Sequence, residues 1–156
     1  MSESGPSVID GVDSIVGVTV GGRFHVHRRL AAGGMGVVYK AEQVPLGRPV
    51  ALKILRPPTD PAQAESYCRR FLLEAAAAAN LNHPHAITVH DYGREGGLLY
   101  FAMEFIEGKT LEDLVRELGP LHPEDAIHVA VQISSALSEA HRQGLVHRDL
   151  KPSNIM

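Results

Sequence analysis

Ala31-Ala32-Gly33-Gly34-Met35-Gly36 is a glycine-rich turn, and what stands on either side of it rules out most folds in which such turns occur. Before it, Phe24, Val26, Arg28 and Leu30 alternate with other residues, the period of a half-buried strand. After it, Val37-Val38-Tyr39-Lys40-Ala41 is β-branched and aromatic, again strand-forming. A dinucleotide-binding fingerprint needs strand, glycine turn, then helix; a Walker A loop needs Gly-Lys-Ser or Gly-Lys-Thr. Neither is present. A glycine hairpin between two antiparallel strands remains, and it reads in two ways. It is a plain tight turn, or a loop whose backbone N–H groups lie over phosphates because no side chain holds them off.

The surrounding pattern extends the sheet. Pro49 to Leu55 forms a third strand, and Ile87-Thr88-Val89 and Leu98 to Phe105 form two more around a turn at Gly93 to Gly97. Between them Ala62 to Leu81 is rich in Ala, Leu, Glu and Arg, with Phe71, Ala75, Ala78 and Leu81 at helical spacing. Thr110 caps a short helix with Asp113 at its third position. His122-Pro123 opens a longer one, along which Ile127, Val131, Ser134, Leu137 and His141 mark a stripe. The expectation is an α+β chain of five antiparallel strands and one helix, followed by further helices. Residues 1–21 read as a loose leader.

Composition narrows the function classes. The chain has 156 residues and a formal net charge of −3, so a basic nucleic-acid footprint is absent. Cys68 is the single cysteine, which excludes an internal disulfide and a thiolate metal cluster. Nine histidines include the pairs His25/His27 and His83/His85, two apart; on a strand each pair shares a face, so zinc and plain surface packing are both open. No stretch approaches the roughly 18 apolar residues of a membrane span, and Met1 to Gly22 lacks the pattern of a signal peptide.

Two further constellations carry chemistry. Lys53 stands in the apolar run Val50-Ala51-Leu52-Lys53, and Glu74 stands amid apolar residues of the following helix. They read equally as a snorkelling lysine with a routine helix glutamate, or as an ammonium held against phosphates by a carboxylate. Then comes His147-Arg148-Asp149-Leu150-Lys151-Pro152-Ser153-Asn154, which matches a catalytic loop of His-Arg-Asp, four residues, then Asn. Asp149 suits a proton acceptor, Lys151 a counter-charge to a transferring phosphoryl group, and Asn154 a Mg²⁺ ligand. His147 and Arg148 suit bracing.

On these motifs the sequence from about Phe24 to Met156 resembles the N-terminal part of a Hanks-type serine/threonine protein kinase of the bacterial branch. The resemblance implies a five-stranded small lobe and hinge over 22–107 and the start of a large lobe over 108–156. It implies ATP and Mg²⁺, and a protein substrate with a Ser or Thr hydroxyl, with no nucleic-acid partner and no membrane contact in this segment. Gly33, Gly34 and Gly36 would then lie over the phosphates, and Lys53 would be held by Glu74. Leu30, Val38 and Ala51 would enclose the adenine, with Met103 as gatekeeper. The Glu104 carbonyl and the Ile106 amide would meet the adenine edge. Lys151 favours Ser/Thr over Tyr. The first loop glycine of the family is Ala31 here, an expected restraint on the turn. The 156 residues hold no Asp-Phe-Gly, so the expectation is that they transfer no phosphate alone; the alternative is an inactive nucleotide- or protein-binding module. A cytoplasmic location is expected, with no bearing on an anchor in a longer chain.

Overall fold

The computed structural model describes residues 15–33 and 36–156. By its contacts the chain divides into two compact units. Residues 1–76 and 89–105 form the first, residues 77–88 and 106–156 the second.

In the first unit, β1 (Thr19–Val20), β2 (Phe24–Gly33), β3 (Gly36–Gln43), β4 (Arg48–Leu55), β5 (Val89–Glu95) and β6 (Leu98–Glu104) make one antiparallel sheet in the order β1-β2-β3-β4-β6-β5. The alternation of apolar residues dictates its faces, since residues two apart along a strand point the same way. Phe24 and Val26, Val37, Tyr39 and Ala41, Val50, Leu52 and Ile54, and Tyr100 and Ala102 form one buried cluster. The intervening residues of β3, β4 and β6 therefore lie on the opposite face. There Val38 is registered opposite Lys53, Lys53 opposite Phe101, and Ala51 opposite both Lys40 and Met103.

Helix α1 (Pro61–Ala79) covers one end of that second face. Asp60 starts it: its carboxylate accepts from Ala62 N at 3.0 Å and its carbonyl from Ala64 N at 2.8 Å, with Pro61 in the first turn. Cys68 packs with Leu55 and Leu99, flanked by Tyr67 and Phe71, and the Phe71 and Phe101 rings meet edge-on with centroids 6.4 Å apart.

Two sequence expectations change. The sheet has six strands, not five, because part of the supposed leader belongs to the core. Ile15 is 2% exposed, Val18 and Val20 pack beside it, and Val26 N donates to Val18 O at 2.9 Å. Two paired residues are too few to show a period; residues 1–14 lie outside the described part. Second, Gly93 is inside β5 and the turn is Gly96-Gly97, with φ of 55° and 80°. Gly93 is glycine for space: a Cβ there would lie 2.8 Å from the Tyr100 hydroxyl.

In the second unit, α3 (Pro123–Arg142) carries the marked stripe beside a second row, and Leu137 belongs to both. Ile127 and Val131 are 64% and 62% exposed, whereas Ala140 is buried and Val129, Ile133, Ala136 and Leu137 are half-buried. Both rows obey helical spacing, so periodicity alone did not choose between them. The short α2 (Leu111–Leu118) follows expectation: Thr110 accepts from Asp113 N at 3.1 Å, and Gly119, at φ 87°, closes the last turn on Val115 O.

Candidate functional site

The sheet gathers one set of the singled-out residues. Gly33 and Gly36 pair across the β2–β3 hairpin; Gly34 lies outside the described residues. The two described glycines serve different purposes. Gly36 has φ 137°, and a Cβ there would lie 2.2 Å from the Ile54 carbonyl oxygen, so the sheet itself requires glycine. A Cβ at Gly33 would meet nothing within 4 Å. That open backbone leaves room for the close approach of a phosphate, and Ala51 is small and buried on the neighbouring strand face. Ala31 meets no positive-φ penalty of the kind its methyl suggested. It sits in β2 opposite Val38, and Arg148 is the only non-glycine with positive φ among the described residues. Leu30, 36% exposed, falls at the irregularity between Arg29 and Ala31.

Val38, Ala51, Lys53 and Met103 share the face opposite the buried cluster. Lys53 is half-buried and forms no ion pair among the described residues. Glu74 lies on the exposed side of α1, and no bond joins it to Lys53. Its position is nonetheless set by the helix. Tyr67, Phe71, Glu74 and Ala78 follow at spacings of four, three and four, one row along α1. Phe71 meets Phe101, the cross-strand partner of Lys53, and Glu74 is one turn further on. Sequence reading missed Lys40, which shares this face through its two-residue spacing from Val38; its Nζ stands 4.5 Å from the Phe105 ring centroid, a cation–π contact. Glu104 ends β6 opposite Val50; Ile106, 39% exposed, begins the stretch grouped with the second unit.

The second unit holds the other set within one loop. Lys151 Nζ stands 2.9 Å from Asp149 Oδ2. Asn154 Nδ2 donates to the same oxygen at 3.1 Å and to the Asp149 carbonyl at 2.8 Å. Asp149 N donates to the His147 carbonyl at 2.8 Å and faces its Nδ1 at 3.3 Å, so His147 braces the loop as expected. Arg148 has φ 61°, a conformation that a side chain disfavours. A 3₁₀ turn, Pro152–Asn154, returns Asn154 to the carboxylate, and Leu111 N ties the loop's end to α2 through Ile155 O at 2.7 Å.

The Lys151 ammonium first, then the Asn154 amide, hold the Asp149 carboxyl below the usual aspartate range. The lowered pKa means that ionised Asp149 favours the folded loop above the ordinary aspartate range. That preference is lost as pH falls through the lowered value. We expect Lys151→Ala to move the Asp149 titration midpoint upward, read from its side-chain carboxyl NMR shift; an unchanged midpoint would remove Lys151 as the main cause.

With its amide nitrogen spent on Asp149, Asn154 has its amide oxygen to offer a cation. No group of three or more His, Cys, Asp or Glu side chains able to hold a metal exists among the described residues. The histidine pairs make ordinary contacts instead. His83 Nε2 lies 3.0 Å from Ser135 Oγ, and His27 Nε2 lies 3.7 Å from Glu42 Oε2. No helix among the described residues is long and apolar enough to cross a membrane.

A family profile described as protein kinase domain matches residues 24–156. The serine/threonine-protein kinase PrkC of Bacillus subtilis is 42% identical over 142 residues, covering 91% of this chain and 22% of that protein. Serine/threonine-protein kinase PknA of Mycobacterium tuberculosis is 42% identical over 146 residues, covering 90% of this chain and 33% of that protein. Among solved structures, the PknI kinase domain of M. tuberculosis aligns with a TM-score of 0.78 at 35% identity, over 89% of this chain and 55% of that one. The chain thus spans a third or less of these curated relatives and about half of the solved kinase domain.

Proposed function

The chain belongs to the protein kinase family, and from that premise we propose that it supplies the nucleotide-holding sheet and catalytic loop of an ATP-dependent serine/threonine protein kinase. The observation that carries this reading is the loop at Asp149, where one ionised carboxylate is held by an ammonium and an amide. Phosphoryl transfer asks little covalent chemistry of a protein; it asks for positioning and counter-charge. ATP is the co-substrate, and Mg²⁺ supplies charge neutralisation when bound. The chain's residues do the rest. Asp149 orients the Ser or Thr hydroxyl and accepts its proton at the carboxylate as oxygen bonds to the γ-phosphorus and ADP departs. Lys151 offsets charge on the moving group, and its place two residues after Asp149 supports Ser/Thr over Tyr acceptors. The Asn154 amide oxygen would hold Mg²⁺.

The sheet residues take the nucleotide. Backbone groups at Gly33, Gly34 and Gly36 meet phosphates, and Lys53 takes the α- and β-phosphates once Glu74 steadies it. Leu30, Val38 and Ala51 enclose the adenine beside Met103, with the Glu104 carbonyl and Ile106 amide at its edge. In this reading the small lobe and hinge run to 107 and take in Ile15 and β1 ahead of residue 22, and 108–156 are the start of the large lobe. The macromolecular partner is a protein substrate rather than nucleic acid, and the reaction is placed in the cytoplasm.

Titration with a fluorescent ATP analogue and Mg²⁺ tests the nucleotide half. Saturable binding is expected, with Lys53→Met weakening it by roughly tenfold or more, the loss of one charge-assisted contact to phosphate. Undiminished affinity in Lys53→Met would contradict the assignment.

A further inference from the structure

Pro58, Ala62, Gln63, Ser66, Tyr67 and Arg70 line a cleft of about 380 Å³ beside the first half of α1. It shares no residue with the nucleotide-holding face or the Asp149 loop. Helix geometry builds it. Ala62, Ser66 and Arg70 fall on one row at spacings of four, outside the core, and Gln63 and Tyr67 on the next, with Tyr67 at the edge of the cluster around Cys68. The volume falls in the range of small-ligand sites, about 300–1,000 Å³.

The lining is divided chemically. Pro58, Ala62 and the Tyr67 ring offer apolar surface; Arg70, Ser66 and Gln63 offer hydrogen-bond donors. Among the described residues, the Arg70 guanidinium makes no ion pair and the Ser66 hydroxyl no hydrogen bond. Of the carboxylates nearest in the chain, Glu74, one turn past Arg70, makes no ion pair with it, and Asp60 is held at the other end of the cleft, on Ala62 N and Gln63 Nε2, each at 3.0 Å. Glu65 pairs with Arg94 at 3.9 Å. An uncompensated guanidinium with a hydroxyl one turn away, beside apolar walls, matches an anion on an apolar stem.

We propose that this cleft is a second binding site, for a small ligand whose phosphate or carboxylate head meets Arg70 and Ser66 while its apolar stem lies against Pro58, Ala62 and Tyr67. The probes are phenyl phosphate, benzoate, phenol and inorganic phosphate, each titrated into the full chain with backbone amide NMR shifts as readout. Saturable shifts over residues 62–70 are expected with phenyl phosphate or benzoate, the tighter of the two identifying the head group. Phenol and inorganic phosphate, lacking charge and stem respectively, should bind more weakly. Arg70→Gln should weaken the preferred probe by roughly tenfold, and Arg70→Lys, which keeps the charge, should lose less. Arg70 is exposed, and matching thermal unfolding of each variant confirms that the fold is intact. The proposal is overturned by the absence of saturable shifts, by phenol or inorganic phosphate binding as tightly as phenyl phosphate and benzoate, or by unchanged affinity in Arg70→Gln.

Discussion

Asp149→Ala, made in a protein that carries this chain within a whole kinase domain, is expected to lower kcat by about 10²–10⁴-fold with little change in the KM for ATP, the usual contribution of a positioned acid–base group. The split between the two constants follows from where Asp149 stands. It belongs to the loop of the second unit, while Val38, Ala51 and Lys53, assigned to the nucleotide, stand on the sheet. Removing it should therefore spare nucleotide binding. The substitution also releases Lys151 and the Asn154 amide from their shared partner, so Asp149→Asn is the companion variant. It keeps the size and one acceptor oxygen but cannot take a proton, and it should be nearly as slow. Steady-state assays with labelled ATP decide the matter; wild-type turnover in Asp149→Asn would remove proton acceptance from its role.

Gly36→Ala is expected to destabilise the first unit by about 3 kcal/mol or more. A non-glycine residue at φ 137° costs roughly 1–3 kcal/mol in backbone strain, and overpacking adds a similar amount. The obstacle is backbone: the Ile54 carbonyl oxygen, 2.2 Å from the added Cβ, belongs to β4 and cannot rotate aside. Against a typical stability of about 5–15 kcal/mol this is a large fraction. Gly33→Ala is the informative contrast, because a Cβ there enters open space. It should change stability by about 0.5 kcal/mol or less while weakening the ATP analogue. Urea denaturation of both variants is the measurement. Equal stability of Gly36→Ala and wild type would mean that the hairpin is not held against Ile54.

Where the sequence was legible, local period and local chemistry agreed. The strand Gly36–Gln43 alternates cleanly because one face is buried, whereas the alternation read from Phe24 to Leu30 ends at Val26, where the strand shifts register; the Thr110 start rests on a side chain beside its own helix. The Asp149 loop was legible because the partners of its carboxylate, Lys151 and Asn154, lie in the same loop. What escaped reading depends on distant packing. Ile15 carries no period, yet the cluster around Phe24 and Tyr100 buries it. Gly93 looks like a turn residue until Tyr100 is seen against it. The inward stripe of α3 was one of two that its sequence allows. Lys53 and Glu74 were singled out together on their own residues with two readings open; the helix brings Glu74 within one turn of the residue that meets Phe101, without joining the pair.

The central claim is that the sheet residue Lys53 and the loop residue Asp149 serve one reaction, phosphorylation of Ser and Thr hydroxyls by ATP. Its most direct test is phosphoamino-acid analysis of a generic protein substrate after incubation with γ-labelled ATP, Mg²⁺ and the purified whole-domain protein, in wild-type, Lys53→Met and Asp149→Ala forms. The account predicts label on serine and threonine with wild type and on neither with the variants. Label on tyrosine, or undiminished serine and threonine label in either variant, would contradict it.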